Sequence, residues 1–365
     1  MSKSIVHLAV AGAGKTYHIC HHLNPAKRNL LLSFTNQNIS NICRELTDAF
    51  GEVPKYTKSL TFDSFLLDYF IWPYLPAVLE VFFHQRGAFS RTVDLRELPF
   101  DKNKLWLQSK NNLNHYFVKA SDGTYGIRLC NVAELIMNKN FHFNDGTGLF
   151  ELGMRRVNYF YDSVYIDEFQ DYRNSRYDLM LELIKEVSHG ELFGDYYQHS
   201  VSGQNNSGRP FGVHSTYETF KKELEKKGFE IDETTLRMTR RCSEDVCAYI
   251  RNNLGIAIKA DSSMNREGSV INVLQASKLK SLIVAENPQI LSLKTSQIWN
   301  GLTFGLSKGN TYSSTVVVIP DVNWRGDSLK WPSDGISKNK LYVALTRSTG
   351  NVYLTKTEIM NEAFS

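Results

Sequence analysis

Ala9-Val10-Ala11-Gly12-Ala13-Gly14-Lys15-Thr16 is the stretch on which the reading of this chain turns. Gly12, Ala13, Gly14, Lys15 and Thr16 carry the Gly-Lys-[Ser/Thr] half of a nucleotide-loop pattern. Residues 4–10 read as a short buried strand and 16–23 start a helix, so the context is the strand, turn and helix that the pattern requires. Small residues let backbone N–H groups close on phosphate oxygens at a helix N-terminus. Lys15 adds a point charge near the outer phosphates, and the Thr16 hydroxyl suits Mg²⁺. The expectation is a site for a nucleoside triphosphate with Mg²⁺.

Outward from the loop, strand and helix alternate. Apolar runs at 29–34 and 59–62 predict buried strands, with a helix between them reaching Asp48 and an aromatic-rich helix afterwards that Pro73 and Pro76 interrupt. From about Phe89 the chain turns polar, and Ser121-Asp122-Gly123 marks a hairpin, so 72–154 reads as an insertion. The alternation returns with a strand at 163–168, a helix at 175–187 and a strand at 191–195. A Ser-, Gly- and Asn-rich stretch, 200–209, leads into a second unit. There helices are expected at 217–227 and 243–254, and strands at 269–274, 315–319, 340–344 and 351–354. The fold class this predicts is α/β.

The totals set the bounds. At 365 residues, 42% hydrophobic and 12% aromatic, the chain has enough apolar surface for two cores. Lys plus Arg number 42 against 38 Asp plus Glu, a net charge of +4 that permits nucleic-acid binding without arguing for it. The five cysteines form no C-x-x-C pair, which points to a reducing compartment, and the cytoplasm is expected. Lys3, the apolar run and Ala9-Val10-Ala11 imitate a signal peptide, but cleavage there would destroy the phosphate loop. No apolar segment approaches the roughly 18 residues of a membrane span. His18 and His22 stand i,i+4 beside Cys20 and His21, yet no further ligand cluster accompanies them, and a helix face is expected rather than a metal site.

A triphosphate site needs a second, acidic strand end. Tyr165-Ile166-Asp167-Glu168 supplies it, Asp167 toward Mg²⁺ and Glu168 to polarise the attacking water.

Here the residues carry a family resemblance. Asp167-Glu168-Phe169-Gln170-Asp171 and Gly194-Asp195-Tyr196-Tyr197-Gln198 resemble motifs II and III of the UvrD/Rep class of superfamily 1 helicases. Ser33-Phe34-Thr35-Asn36 resembles motif Ia, Thr61-Phe62-Asp63-Ser64-Phe65 motif Ib, and 236–243 motif IV. Leu306-Ser307-Lys308-Gly309 resembles motif V, and Leu341-Tyr342-Val343-Ala344-Leu345-Thr346-Arg347 motif VI. The resemblance implies two RecA-like domains: 1–71 with 155–203 as the ATP-binding domain 1A, 72–154 as an inserted subdomain 1B, and 204–365 as domain 2A. It also implies roles. Gln198 would sense the outer phosphate, Arg241 and Arg347 would act as arginine fingers, and Arg240, Lys308 and Gly309 would join the nucleotide site. Phe34, Thr35, Asn36, Thr61, Phe62 and Ser64 would contact single-stranded DNA, with RNA left open. Independently, Arg presents fixed guanidinium donors suited to transition-state charge, and aromatics with small polar groups suit a sequence-blind strand track.

The chain departs from the family at three places. No Gln-containing adenine-reading segment precedes the loop, and Arg240 stands where a base-stacking Tyr is common. Val201-Ser202-Gly203 replaces an aromatic pair after motif III, and Thr311 replaces a ribose-contacting Glu. The short spacing between motifs IV and V leaves no room for the large 2B insertion of full-size relatives. The function expected is an ATP-dependent translocase, a 3′-to-5′ DNA helicase, monomeric in isolation. The alternative is a nucleic-acid-sensing ATPase subunit that regulates a partner nuclease.

Overall fold

Residues 9–14 join the first strand to the first helix, and the alternation around them runs through most of the chain. The computed structural model describes residues 4–85, 89–93, 109–199, 208–211, 216–332 and 335–365. β1 (Ile5–Leu8), α1 (Lys15–His22), β2 (Asn29–Ser33), α2 (Asn36–Phe50) and β3 (Thr57–Thr61) come first. A broken helical stretch follows, including α3 (Phe62–Leu66) and α4 (Leu75–Ala77). Then come β4 (Phe89–Val93), α5 (Leu113–Tyr116), β5 (Phe117–Lys119), β6 (Tyr125–Arg128), α6 (Val132–Ile136) and α7 (Leu149–Phe160). β7 (Ser163–Asp167), α8 (Asn174–Glu186) and β8 (Gly190–Gly194) resume the alternation. α9 (Tyr217–Lys226), β9 (Glu230–Asp232), β10 (Met238–Thr239), α10 (Glu244–Leu254), β11 (Lys259–Ala260), β12 (Val270–Asn272) and α11 (Ala276–Glu286) follow. The chain closes with β13 (Gln289–Ser292), β14 (Leu302–Thr303), β15 (Thr315–Ile319), β16 (Trp324–Arg325), β17 (Ser328–Leu329), α12 (Gly335–Leu345), β18 (Val352–Lys356) and α13 (Thr357–Phe364).

The chain divides into two units, one of Met1–Ser4 with Ile19–Leu192 and one of Ile5–His18 with Phe193–Ser365. In the first, β3, β2 and β7 lie parallel, with Asn29 opposite both Thr57 and Ser163 and Ser33 opposite Thr61. In the second, β1 pairs in parallel with β9, Ile5 opposite Glu230. The chain passes from the first unit to the second within β8, after Leu192. A second sheet, β12-β18-β15-β13-β14, is parallel at every pairing. The fold is thus α/β with two parallel sheets of six and five strands.

Parallel strands covered on both faces read as unbroken apolar runs, and β2 and β15 are buried along their whole length. In the five-stranded sheet, alternate residues serve opposite layers. Val317, Ile319, Val352 and Leu354 face α10 and α12, while Val316, Val318 and Tyr353 face α11 and α13. Helix ends follow from the sequence. Thr35 Oγ1 accepts from Asn38 N at 3.1 Å to cap α2, and Gly51, at φ 82°, closes it.

One expectation changes. Residues 340–344, expected as a strand, lie in helix α12, and α11 and β13 were not anticipated. Leu341 to Leu345 are all buried, so α12 has no polar stripe here and its apolar run mimics a buried strand. The aromatic helix after β3 is broken by π-helical turns at Leu67–Ile71 and Val78–Phe82 around Pro73 and Pro76. The expected hairpin is present, with β5 antiparallel to β6 across Gly123 at φ 85°. Residues 200–207 of the expected linker lie outside the described residues. Among the described residues no single helix is long and apolar enough to cross a membrane.

One polar cluster ties α6 to α8. Glu134 accepts from His115 Nε2 and Ser175 Oγ, both at 2.9 Å, with Lys110 Nζ at 3.4 Å. Above all the His115 hydrogen bond, then Ser175 and Lys110, hold its carboxyl down to about 2 against the opposing effect of burial. A folded-state value below that of the unfolded chain contributes stability at neutral pH that is lost as pH falls through the folded value. Urea unfolding should therefore show the wild type losing more stability than Glu134→Gln as pH falls from about 5 toward 2. Parallel acid profiles for the two proteins would contradict the assignment.

Candidate nucleotide site

β1 delivers the chain into a turn whose shape depends on bare backbone. Gly12 and Gly14 have φ of 72° and 83°, in the left-handed region that side chains disfavour. At Gly12 the space is closed as well. A Cβ there would lie 2.7 Å from both the Arg241 Cβ and the Thr239 Oγ1. Arg240 N donates to Gly12 O at 2.9 Å, and Val10 N to Leu236 O at 3.2 Å, so the segment from Leu236 to Arg241 is laced along the loop. His18 N donates to Gly14 O at 2.8 Å, starting α1 directly after the turn. Lys15 is buried and Thr16 half-buried at that helix start.

Ala11 has no exposed surface and is held from a third direction. Its N–H donates to the Tyr342 hydroxyl at 2.8 Å, a bond between the loop and α12. Burial raises the Tyr342 hydroxyl well above the ordinary tyrosine range, so it stays protonated. Backbone donors fixed at a helix N-terminus, with Gly at the tight positions and a buried Lys, form a cradle that fits phosphate.

Arg240 lies with its guanidinium carbon 5.0 Å from the ring centroid of Tyr17, the residue after the Gly-Lys-Thr triplet. Tyr17 is 41% exposed, so a planar ring beside a planar cation stands open at the edge of the cradle. Tyr17 lies outside the motif residues. An aromatic immediately following the triplet was the available signal.

Arg241 Nη1 donates to the Thr346 carbonyl at 3.0 Å. Arg347 is only 1% exposed. Its Nε donates to Val343 O at 3.0 Å and its Nη2 to Thr346 Oγ1 at 3.3 Å, so its guanidinium sits against the carboxyl end of α12, where helix polarity favours a cation. Gln198, also buried, donates through Nε2 to Asp195 Oδ2 at 2.8 Å, and Asp195 Oδ1 accepts from Tyr197 N at 3.0 Å. Lys308 and Gly309 occupy a turn after β14. There Lys308 N donates to Gly305 O at 3.2 Å, and Gly309 has φ 87° with open space where a Cβ would stand. Contacts thus join the phosphate loop to Arg240, Arg241 and Tyr342, and Arg241 and Arg347 each donate to Thr346.

In the first unit, β7 ends on Asp167, which is buried and accepts Glu168 N on Oδ1 at 2.9 Å. Glu168 has φ 57° and ψ 40°, a left-handed backbone unusual for a glutamate. The side chain of Gln170, itself fully buried, donates to Glu168 Oε2. The carboxylate is thus held from both its backbone and its tip. Burial, with Asp167 among the smaller contributors, pushes the nearby Cys20 thiol up to about 12, leaving it inert.

The expected strand-contacting residues divide. Thr35, Asn36 and Ser64 are exposed at the C-terminal ends of β2 and β3. Thr61 Oγ1 caps α3 by accepting Ser64 N at 3.2 Å. Phe34 is half-buried, edge-on to Tyr172 at 5.5 Å. Phe62 is 2% exposed and packs on Tyr172 and Phe65, so here it serves the core rather than offering a stacking face.

No family model and no curated protein matches the chain. Among solved structures, it is similar to the complex of arterivirus nonstructural protein 10, a helicase, with DNA: 13% identity over 96% of this chain and 60% of that one, TM-score 0.45. The arterivirus nonstructural protein 10 helicase crystal structure gives 14% identity over 98% and 61%, TM-score 0.46. The PRRSV helicase gives 14% over 97% and 52%, TM-score 0.43. The chain spans about three fifths of the length of the first two.

Tyr342→Phe tests the hold on the loop. It keeps the ring but strands the buried Ala11 N–H, and urea unfolding should register a loss of about 1–3 kcal/mol. Unchanged stability would show that the bond contributes nothing.

Proposed function

We propose that this protein hydrolyses ATP in response to single-stranded nucleic acid, as a motor of the superfamily 1 helicase type. The observation that carries the reading is the phosphate loop laced to Arg240 at Gly12 and bonded to Tyr342 at Ala11. A change in what the loop holds is thereby coupled to the segments bearing Arg240, Arg241 and Arg347. Such coupling is what converts nucleotide state into motion.

Within this reading the cradle of Gly12, Ala13, Gly14 and Lys15 binds the phosphates, and Tyr17 with Arg240 takes the base. Thr16 and Asp167 would hold Mg²⁺, which would supply neutralisation of phosphate charge. Glu168 orients the attacking water and accepts its proton, Gln170 keeping its carboxylate in place. Arg241 and Arg347 serve the transferred phosphoryl group, and Gln198 reports its presence. Arg347 must exchange its carbonyl partners for the phosphate to do so. The RecA-like division with 72–154 inserted, the UvrD-type affiliation, cytoplasmic location and 3′-to-5′ DNA translocation belong to the same proposal.

Steady-state ATP turnover with and without single-stranded DNA or RNA, followed by strand displacement on tailed duplexes, tests it. Lys15→Ala and Glu168→Gln should each abolish stimulated turnover, a fall of about a hundredfold or more, while leaving the unfolding transition in place. Retained hydrolysis in either variant would overturn the site. Stimulated turnover without displacement would move the reading to a sensing subunit.

Tyr17→Ala should weaken nucleotide binding roughly five- to tenfold by loss of one stacking face, measured by fluorescent-nucleotide titration. Unaltered affinity would remove Tyr17 from the site.

A further inference from the structure

The first unit carries a second set of exposed chemistry at the end of its strands opposite Thr35, Thr61 and Asp167. Parallel pairing places Asn29 beside Thr57 and Ser163, so Arg28, Tyr56 and Asp162, each one residue earlier, share the N-terminal edge of β2, β3 and β7. α7 ends at the same edge, with Tyr159 74% exposed and Phe160 42% exposed, and Tyr56 is 52% exposed.

Cations are interleaved with these rings. Lys55 Nζ lies 5.6 Å from the Tyr56 ring centroid, and Lys58 Nζ lies 5.7 Å from that of Tyr69. Arg156 reaches the same Tyr69 ring at 5.8 Å and Phe160 at 5.3 Å, and Phe160 meets Tyr159 edge-on at 5.1 Å. Tyr74, Leu152, Arg155, Arg156, Tyr159 and Phe160 line a cleft of ≈ 380 Å³ there. Arg28 is closed by Asp162 and Arg155 by Glu151, at 2.5 and 2.7 Å. Among the described residues, by contrast, Lys55, Lys58 and Arg156 have no carboxylate within ion-pair distance.

We propose that this edge is a second binding surface for single-stranded nucleic acid, with phosphates on Lys55, Lys58 and Arg156 and a base stacked on Tyr159. Rings with open faces beside cations that lack acidic partners are what a sequence-blind strand requires. A lysine on the edge strand β3 would by itself only discourage strand pairing, but Arg156 lies on α7, where that purpose does not arise. The rings and Arg156 would suit a protein partner as well, but Lys55 and Lys58 belong to the residue type depleted from protein–protein contact cores, so the charge favours a strand. The surface is separate from the residues assigned to ATP and to the strand above, and it stands whether or not that assignment holds.

The whole protein is irradiated with an oligothymidine strand carrying 5-iododeoxyuridine, and the adducts are mapped by peptide mass spectrometry. Adducts should fall on Tyr159 or Tyr56. The Lys55→Glu/Lys58→Glu double variant should lower their yield roughly tenfold or more, with strand-independent ATP turnover and the urea midpoint unchanged. Adducts confined to other peptides, or a yield the double variant does not move, would overturn the proposal. So would protection of Tyr159 by a poly-glutamate peptide in the absence of strand adducts, which would assign the edge to an acidic protein segment. Strand stimulation of ATP turnover, read in the same samples, judges the motor assignment separately.

Discussion

The contact that orders the rest is the approach of one backbone to another at Gly12. The segment from Thr239 to Arg241 passes so close that a single methyl would collide with it on two atoms. One of the two, the Arg241 Cβ, is fixed by its own backbone, so rotation of that side chain cannot relieve the contact, and the Arg240 N–H to Gly12 carbonyl bond holds the two segments together. The Ala11 bond to Tyr342 adds α12 to the same assembly, and Arg347 at the end of that helix inherits the constraint.

The parts of the molecule that the sequence made legible are those in which one residue type admits one conformation. The glycines of the loop, the acidic end of β7 and the hairpin at Gly123 all follow from local rules. The alternation that gave an α/β fold is equally local, since buried parallel strands are apolar throughout. α12 escaped for the corresponding reason. A helix enclosed on all sides loses its stripe, and Leu341 to Leu345 then offers no period by which to tell it from a strand.

The candidate site was legible as a set of chemical types and not as a set of orientations. Sequence order brings Arg347 to a plausible place, but only packing shows its donors turned onto Val343 and Thr346. Phe62 and Phe34 look alike in sequence. Their difference lies in how each meets Tyr172, a residue more than a hundred positions away. Tyr17 is not legible in sequence because an aromatic on the first turn of a helix usually packs, and its openness belongs to the tertiary structure.

The left-handed backbone of Glu168 has a consequence for how this position can vary. A non-glycine residue held there costs on the order of 1–3 kcal/mol. Glycine at 168 would relieve that backbone burden but would remove the carboxylate to which the buried Gln170 donates. Backbone ease and retention of the carboxylate thus pull in opposite directions at one codon.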